Sequence, residues 1–127
     1  DVSSNMIKAL GNDDRIKGVV SRAEDLDLAT YFQFIVCAGL LEFVSDPLKV
    51  FSVARQHADP SCSMVVLVPY ANIWGALYKL FHMSHGVKVS LFRPEGLKAL
   101  GEKAGWAVGK ERWIWPFTYQ LHLTARS

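Results

Sequence analysis

Residues 20 to 47 read VSRAEDLDLATYFQFIVCAGLLEFVSDP. An acidic turn leads into a continuous apolar run with a β-branched centre, Phe34 to Ala38 (FIVCA). Such a run suits a strand covered on both faces, as in a parallel sheet. Small residues follow, and Asp46-Pro47 then opens a helix. The Asp carboxylate accepts from free backbone N–H groups, and Pro at the first helical position gives up no hydrogen bond. The helix is expected to reach about Ala58, with Leu48, Phe51 and Ala54 on one face, and to be ended by Asp59-Pro60-Ser61. Met64 to Val68 (MVVLV) reads as a second fully apolar strand. Strand, helix and strand in that order form the unit of a sheet with crossover helices.

Upstream, Ser3 or Ser4 can cap a short helix carrying Met6, Ile7 and Leu10 on one side, with Gly11 as its stop. Asn12-Asp13-Asp14 is turn chemistry, and Ile16 to Val20 is a short strand candidate. Downstream, a helix from about Asn72 to His82 puts Trp74, Leu77, Tyr78 and Phe81 on one face. Pro94 begins a further helix, with Leu97, Leu100 and Ala104 at helical spacing and Gly105 after it. Ala107 to Ile114 is expected as a strand. Phe117 to Thr124 alternates cleanly, with Phe117, Tyr119, Leu121 and Leu123 on the face to be buried. Only the Trp115-Pro116 turn joins these last two strands, so they should be antiparallel.

The chain has 127 residues, half of them apolar and a fifth charged, enough for one domain with a hydrophobic core. A net charge of +2, without a Lys/Arg run, gives no footprint for nucleic acid. No apolar stretch reaches the roughly 20 residues needed to span a bilayer, so no membrane partner is expected. Two cysteines, Cys37 and Cys62, make neither a disulfide framework nor a metal site. The absence of a signal peptide makes a cytoplasmic location the default. No HxxH or Cys/His cluster suggests a metal. His57 and His122 read as surface residues.

Order and spacing together resemble the class I S-adenosylmethionine-dependent methyltransferases, whose truncated Rossmann-like α/β sheet the chain would form. The segment SRAEDLDLATYFQFIVCAGLLEFVSDPLKVFSVARQHADPSCSMVVLVP is similar to that family's middle. There an acidic turn follows strand three, strand four ends in small residues, and an Asp-Pro helix leads to strand five. LFRPEGLKALGEKAGWAVGKERWIWPFTYQLHLTARS is similar to its last helix and closing antiparallel strand pair. The resemblance covers nearly all of residues 1–127, expected as one partial domain. It implies that the family's first strand, glycine-rich loop, first helix and most of strand two would precede Asp1.

The resemblance implies a cofactor, S-adenosylmethionine, and residues to hold it. Asp1 would stand at the end of strand two, where a carboxylate accepts from both ribose hydroxyls. Ala23 would offer its backbone N–H to the adenine, with Glu24 or Asp25 as acceptors. The family commonly has an Asp directly before this Ala-Glu-Asp-Leu turn; here it is Arg22, which has no acceptor. Cys37, Ala38 and Gly39 end strand four, where ligands gather in open α/β sheets. Small side chains there leave room for the cofactor's methionine part, and close packing accounts for them as well. Glu42 is placed either to orient a substrate or on a helix surface.

Methyl transfer to a hydroxyl or amine needs a held nucleophile, excluded water and a base. His82 and His85 are the base candidates, in a segment that commonly forms a substrate lid in the family. Tyr70, Trp74 and Tyr78 would supply its aromatic wall, or else belong to the core. The implied activity is methyl transfer to a small molecule, as the C-terminal part of such an enzyme. The alternative is a catalytically inactive remnant that binds a partner or self-associates. In the family's strand order, 3-2-1-4-5-7-6, the chain would lack what covers strand four. An exposed edge there invites a homodimer or a rearranged sheet.

Overall fold

The computed structural model describes residues 1–11 and 13–126. Helix α1 (Ser4–Ala9) is capped by the Ser3 hydroxyl, which accepts from Met6 N. Asn12 of the expected turn lies outside the described residues. Asp13 does turn the chain: its carbonyl accepts from Ile16 N at 2.9 Å and its carboxylate from Arg15 N at 3.0 Å. Ile16 to Val20 does not become a strand. Its far end meets the chain start: the Asp1 ammonium donates to Val19 O, and Ser21 N to Asp1 O, each at 3.0 Å. Two bonds on one side do not make a ladder.

A single 3-10 turn at Ala23–Asp25 precedes strand β1 (Phe32–Ala38). Asp46 caps helix α2 (Pro47–Gln56), accepting from Lys49 N at 3.0 Å. The buried face is Val50, Phe51 and Val53 rather than Leu48, Phe51 and Ala54. The helix also ends before the expected stop, because Ala58 already pairs with Phe32. Strand β2 therefore runs Ala58–Pro69. Its register with β1 shifts between Phe32 and Phe34, and that irregularity accommodates Pro60, which has no N–H to give a ladder.

Helix α3 (Ile73–Ser84), helix α4 (Pro94–Lys103), strand β3 (Trp106–Ile114) and strand β4 (Thr118–Ala125) complete the chain. The sheet order is β1-β2-β4-β3, with β1 parallel to β2 and the other pairs antiparallel. The expected antiparallel closing pair is present. In β4 the alternation holds, and Tyr119, Leu121 and Leu123 are buried. Gly101 of α4 lies against Leu123, and buried Trp106 donates its indole N–H to Phe51 O at 3.1 Å, tying α2 to β3.

Helices α2 and α4 thus cover one face of the sheet. Coverage of β1 on both faces is not found: Phe34 and Val36, on its other face, are 77% and 71% exposed. His57 is buried, not on the surface. Its Nε2 accepts from Leu28 N at 2.8 Å, so the proton sits on Nδ1 and is donated to Val53 O, also at 2.8 Å. His122 is half-buried.

Candidate functional site

The carboxyl end of β1 opens onto two cavities. The larger, about 630 Å³, is lined by Asp1, Ala23, Glu24, Gly39, Leu40 and Phe43, among others. Four of the residues expected to hold a cofactor, Asp1, Ala23, Glu24 and Gly39, thus face one space. Asp1 is fixed at its rim, where Oδ1 accepts from Ser3 N at 2.7 Å. Glu24 is buried, and its Oε1 accepts from Arg22 at 3.2 Å and from the Ser45 hydroxyl at 3.3 Å. A hydrogen bond to its own backbone N–H, with help from Arg22, holds its carboxyl below the usual range against the effect of burial. Arg22, which looked unfavourable in sequence, therefore organises the acidic turn. Asp25 points out of it, 3.6 Å from Arg22.

Cys37 is on the other side of β1, in an apolar groove with Val50, Val53 and Met64. The pleat explains this, since successive side chains alternate between faces. Burial first, and then the Glu42 charge, pushes its thiol up to about 12, so it stays protonated.

The second cavity, about 280 Å³, is lined by Ala38, Gly39, Glu42, Tyr78, Phe117 and Thr118, among others. Gly39 belongs to both cavities and joins them. Its φ of 60° is left-handed, a conformation that glycine adopts without steric cost. A Cβ at Gly39 would face Glu42 Oε1 at 4.0 Å. Glu42 is only 5% exposed, and its Oε2 has no hydrogen-bond partner. Burial pushes its carboxyl up, opposed by its own backbone N–H and by His82. Tyr78 is pushed up by burial and then by Glu42.

His82 stands beside this cavity, its ring 4.5 Å from that of Tyr78 and 6.0 Å from Phe43. Glu42, Tyr78 and His82 are therefore brought together. His85, Tyr70 and Trp74 are not with them. His85 is exposed at the end of α3, with Nδ1 2.8 Å from Phe81 O. Tyr70 bridges to Phe92 and lines a separate cavity beside the β3–β4 turn. Trp74 packs edge-on against Trp115, centroids 6.2 Å apart.

Sequence reasoning missed Phe117 and Phe43. Phe117, in the turn just before β4, closes the cavity with its ring 4.9 Å from Tyr78; its phase with Tyr119, Leu121 and Leu123 in the sequence was the available signal. Phe43 follows Glu42 directly and reaches both the larger cavity and His82. Among the described residues no group of three or more His, Cys, Asp or Glu could hold a metal.

Residues 1–111 match the family model described as "Methyltransferase domain". No curated protein matches the sequence significantly. Solved structures share the fold. One is an S-adenosylmethionine-dependent methyltransferase from Thermotoga maritima, 20% identical, with 82% of this chain and 61% of that one covered and a TM-score of 0.70. Another is a chain of the complex between the Haloferax volcanii Trm112 methyltransferase activator and its methyltransferase, 12% identical, covering 100% and 70%, TM-score 0.84. A third is the magnesium protoporphyrin IX methyltransferase of Synechocystis PCC 6803 with bound S-adenosylhomocysteine, 12% identical, covering 84% and 49%, TM-score 0.61. At these identities the likeness is one of fold. The chain spans 61% of the Thermotoga chain.

Proposed function

The chain belongs to the methyltransferase-domain family with the class I fold, and from that premise we propose that it takes part in S-adenosylmethionine-dependent methyl transfer to a small molecule. The observation that carries this is the junction at Gly39. There a cavity with a carboxylate at its rim meets a smaller one holding Glu42 and Tyr78, with His82 beside it.

The residues present fit the cofactor. Asp1 suits paired hydroxyls, Ala23 and the apolar walls of Leu40 and Phe43 suit a flat base, and Gly39 leaves the passage open. When bound, the cofactor supplies an electrophilic methyl group on a sulfonium. The chain's own residues do the rest. Tyr78 and Phe117 wall the acceptor cavity from water. Glu42 Oε2, buried and unpartnered, accepts from an acceptor's N–H or O–H and so orients it. His82 takes the proton that the nucleophile loses. The 280 Å³ cavity suits a small acceptor better than a polymer. We place the protein in the cytoplasm, where its free Cys37 and Cys62 would stay reduced.

Calorimetric titration of the 127-residue chain with S-adenosylhomocysteine tests the reading. Micromolar binding, lost in Gly39→Val, is expected. Absence of binding would show that these residues alone do not form the site.

A second reading, a non-catalytic module that self-associates, is favoured by the exposed Phe34 and Val36 on an unpaired sheet edge. Light scattering decides it.

A further inference from the structure

Helix α3 is turned the unexpected way round. It seats on the body of the protein through Gly75, with Tyr78, Lys79 and His82 half-buried. Its apolar residues Ile73, Leu77, Leu80 and Phe81 face outward, Ile73 being 74% exposed. They recur at the spacing of one helical face. Asn72 fixes this helix to the β3–β4 turn: Oδ1 accepts from Gly75 N at 2.8 Å and Nδ2 donates to Pro116 O at 3.0 Å. Trp115, 82% exposed, thereby extends the apolar face next to Trp74.

The stretch of sequence that carries this helix has charge of one sign. From Pro60 through Pro94 the chain contains no Asp or Glu, while Lys79, Lys88 and Arg93 are present. Exposed Arg112 lies on β3 beside exposed Trp113. Glu111, its other neighbour, is engaged by Lys98 at 2.5 Å and by the Tyr119 hydroxyl at 2.6 Å. Tryptophan, long aliphatic side chains and basic residues without acidic ones are the composition that settles at a lipid headgroup boundary.

We propose that α3 and Trp115 form an attachment face for an anionic phospholipid bilayer, with the helix lying in the plane of the interface. Twelve residues rise about 18 Å, well short of the roughly 30 Å hydrocarbon thickness, so the helix lies on the membrane and does not span it. The expectation of no membrane partner rested on span length, and attachment in the plane makes no such demand. The proposal does not depend on the methyltransferase reading.

The test is flotation of the 127-residue chain with phosphatidylcholine vesicles, with and without a third of phosphatidylglycerol. The chain is expected to float with the anionic vesicles and to stay behind with the neutral ones. Its tryptophan emission should be quenched by brominated acyl chains, and less so in Trp115→Phe. Leu77→Gln with Leu80→Gln should reduce binding by about tenfold or more. Both positions are exposed, so circular dichroism should show an unchanged fold. Lys88→Glu with Arg112→Glu should weaken binding in the same direction. Failure to float with anionic vesicles would overturn the proposal. So would a dimer dispersed by Leu77→Gln and Leu80→Gln in the absence of lipid binding, because a second copy would then be the occupant.

Discussion

Glu42 carries the sharpest tension in the molecule at the scale of one residue. Its Oε2 is buried without a partner, and burial raises its carboxyl above the ordinary value. A raised folded-state value means that the native protein holds its proton to higher pH than the unfolded chain. Stability then falls as pH rises through the folded value. Glu42→Gln removes the ionisation. The variant should be stabler than the parent near pH 8, with the difference closing at low pH, where the carboxyl is protonated in both the folded and the unfolded chain. Thermal denaturation at both pH values checks the sign; a constant difference would show that the carboxyl does not titrate abnormally. The sequence carried this residue as an alternative between substrate contact and helix surface. Only the fold decides, since no local pattern reveals which polar side chain the next layer will cover. The same limit applies to His57, which looked like a surface residue. Its buried place depends on Leu28 N, far away in the chain.

At the scale of elements, sequence pattern located most boundaries but not the orientation of every face. The Asp-Pro start of α2 and the inward face of β4 were legible because they rest on local chemistry and on a strict period of two. Helix α3 was legible as a helix, yet its aromatic stripe faces out. Gly75 is the reason. A Cβ there would overlap the Tyr70 carbonyl oxygen, so the helix can approach the chain before it only through its smallest residue. Hydrophobic periodicity identifies the apolar face, and close backbone approach selects the face that packs. Gly75→Ala should therefore cost about 1–3 kcal/mol by overpacking against backbone that cannot swing aside. Ala76→Ser, one residue along on the exposed side, should change stability by less than about 0.5 kcal/mol. Urea denaturation of both variants measures the contrast, and equal losses would remove the packing argument.

For the whole molecule, the four strands appear in the order 4-5-7-6 of the family's sheet, and β1 is left as an edge. The α/β alternation and the antiparallel closing pair were readable from the pattern and the short turn before β4, whereas the order of the strands was what the family resemblance implied. The open face was not readable from the run itself, because FIVCA has the composition of a strand covered on both sides; the family resemblance was what implied an exposed edge and apolar face there. Here Cys37 is buried beneath α2, while Phe34 and Val36 stand in solvent on the opposite face. A parallel edge strand with bare apolar side chains is an unstable boundary in water: its free N–H and C=O groups invite a further strand, and its side chains favour a covering layer. Self-association at moderate concentration is the expected outcome, seen by light scattering as a mass above that of one 14.2 kDa chain. Phe34→Lys with Val36→Lys should return the chain to monomer, since charges facing outward on an edge strand oppose pairing and the buried side of β1 is untouched. A parent chain that is already monomeric would remove the self-association reading. An oligomer that survives both lysines would place its interface elsewhere, and the outward face of α3 would be the first surface to alter.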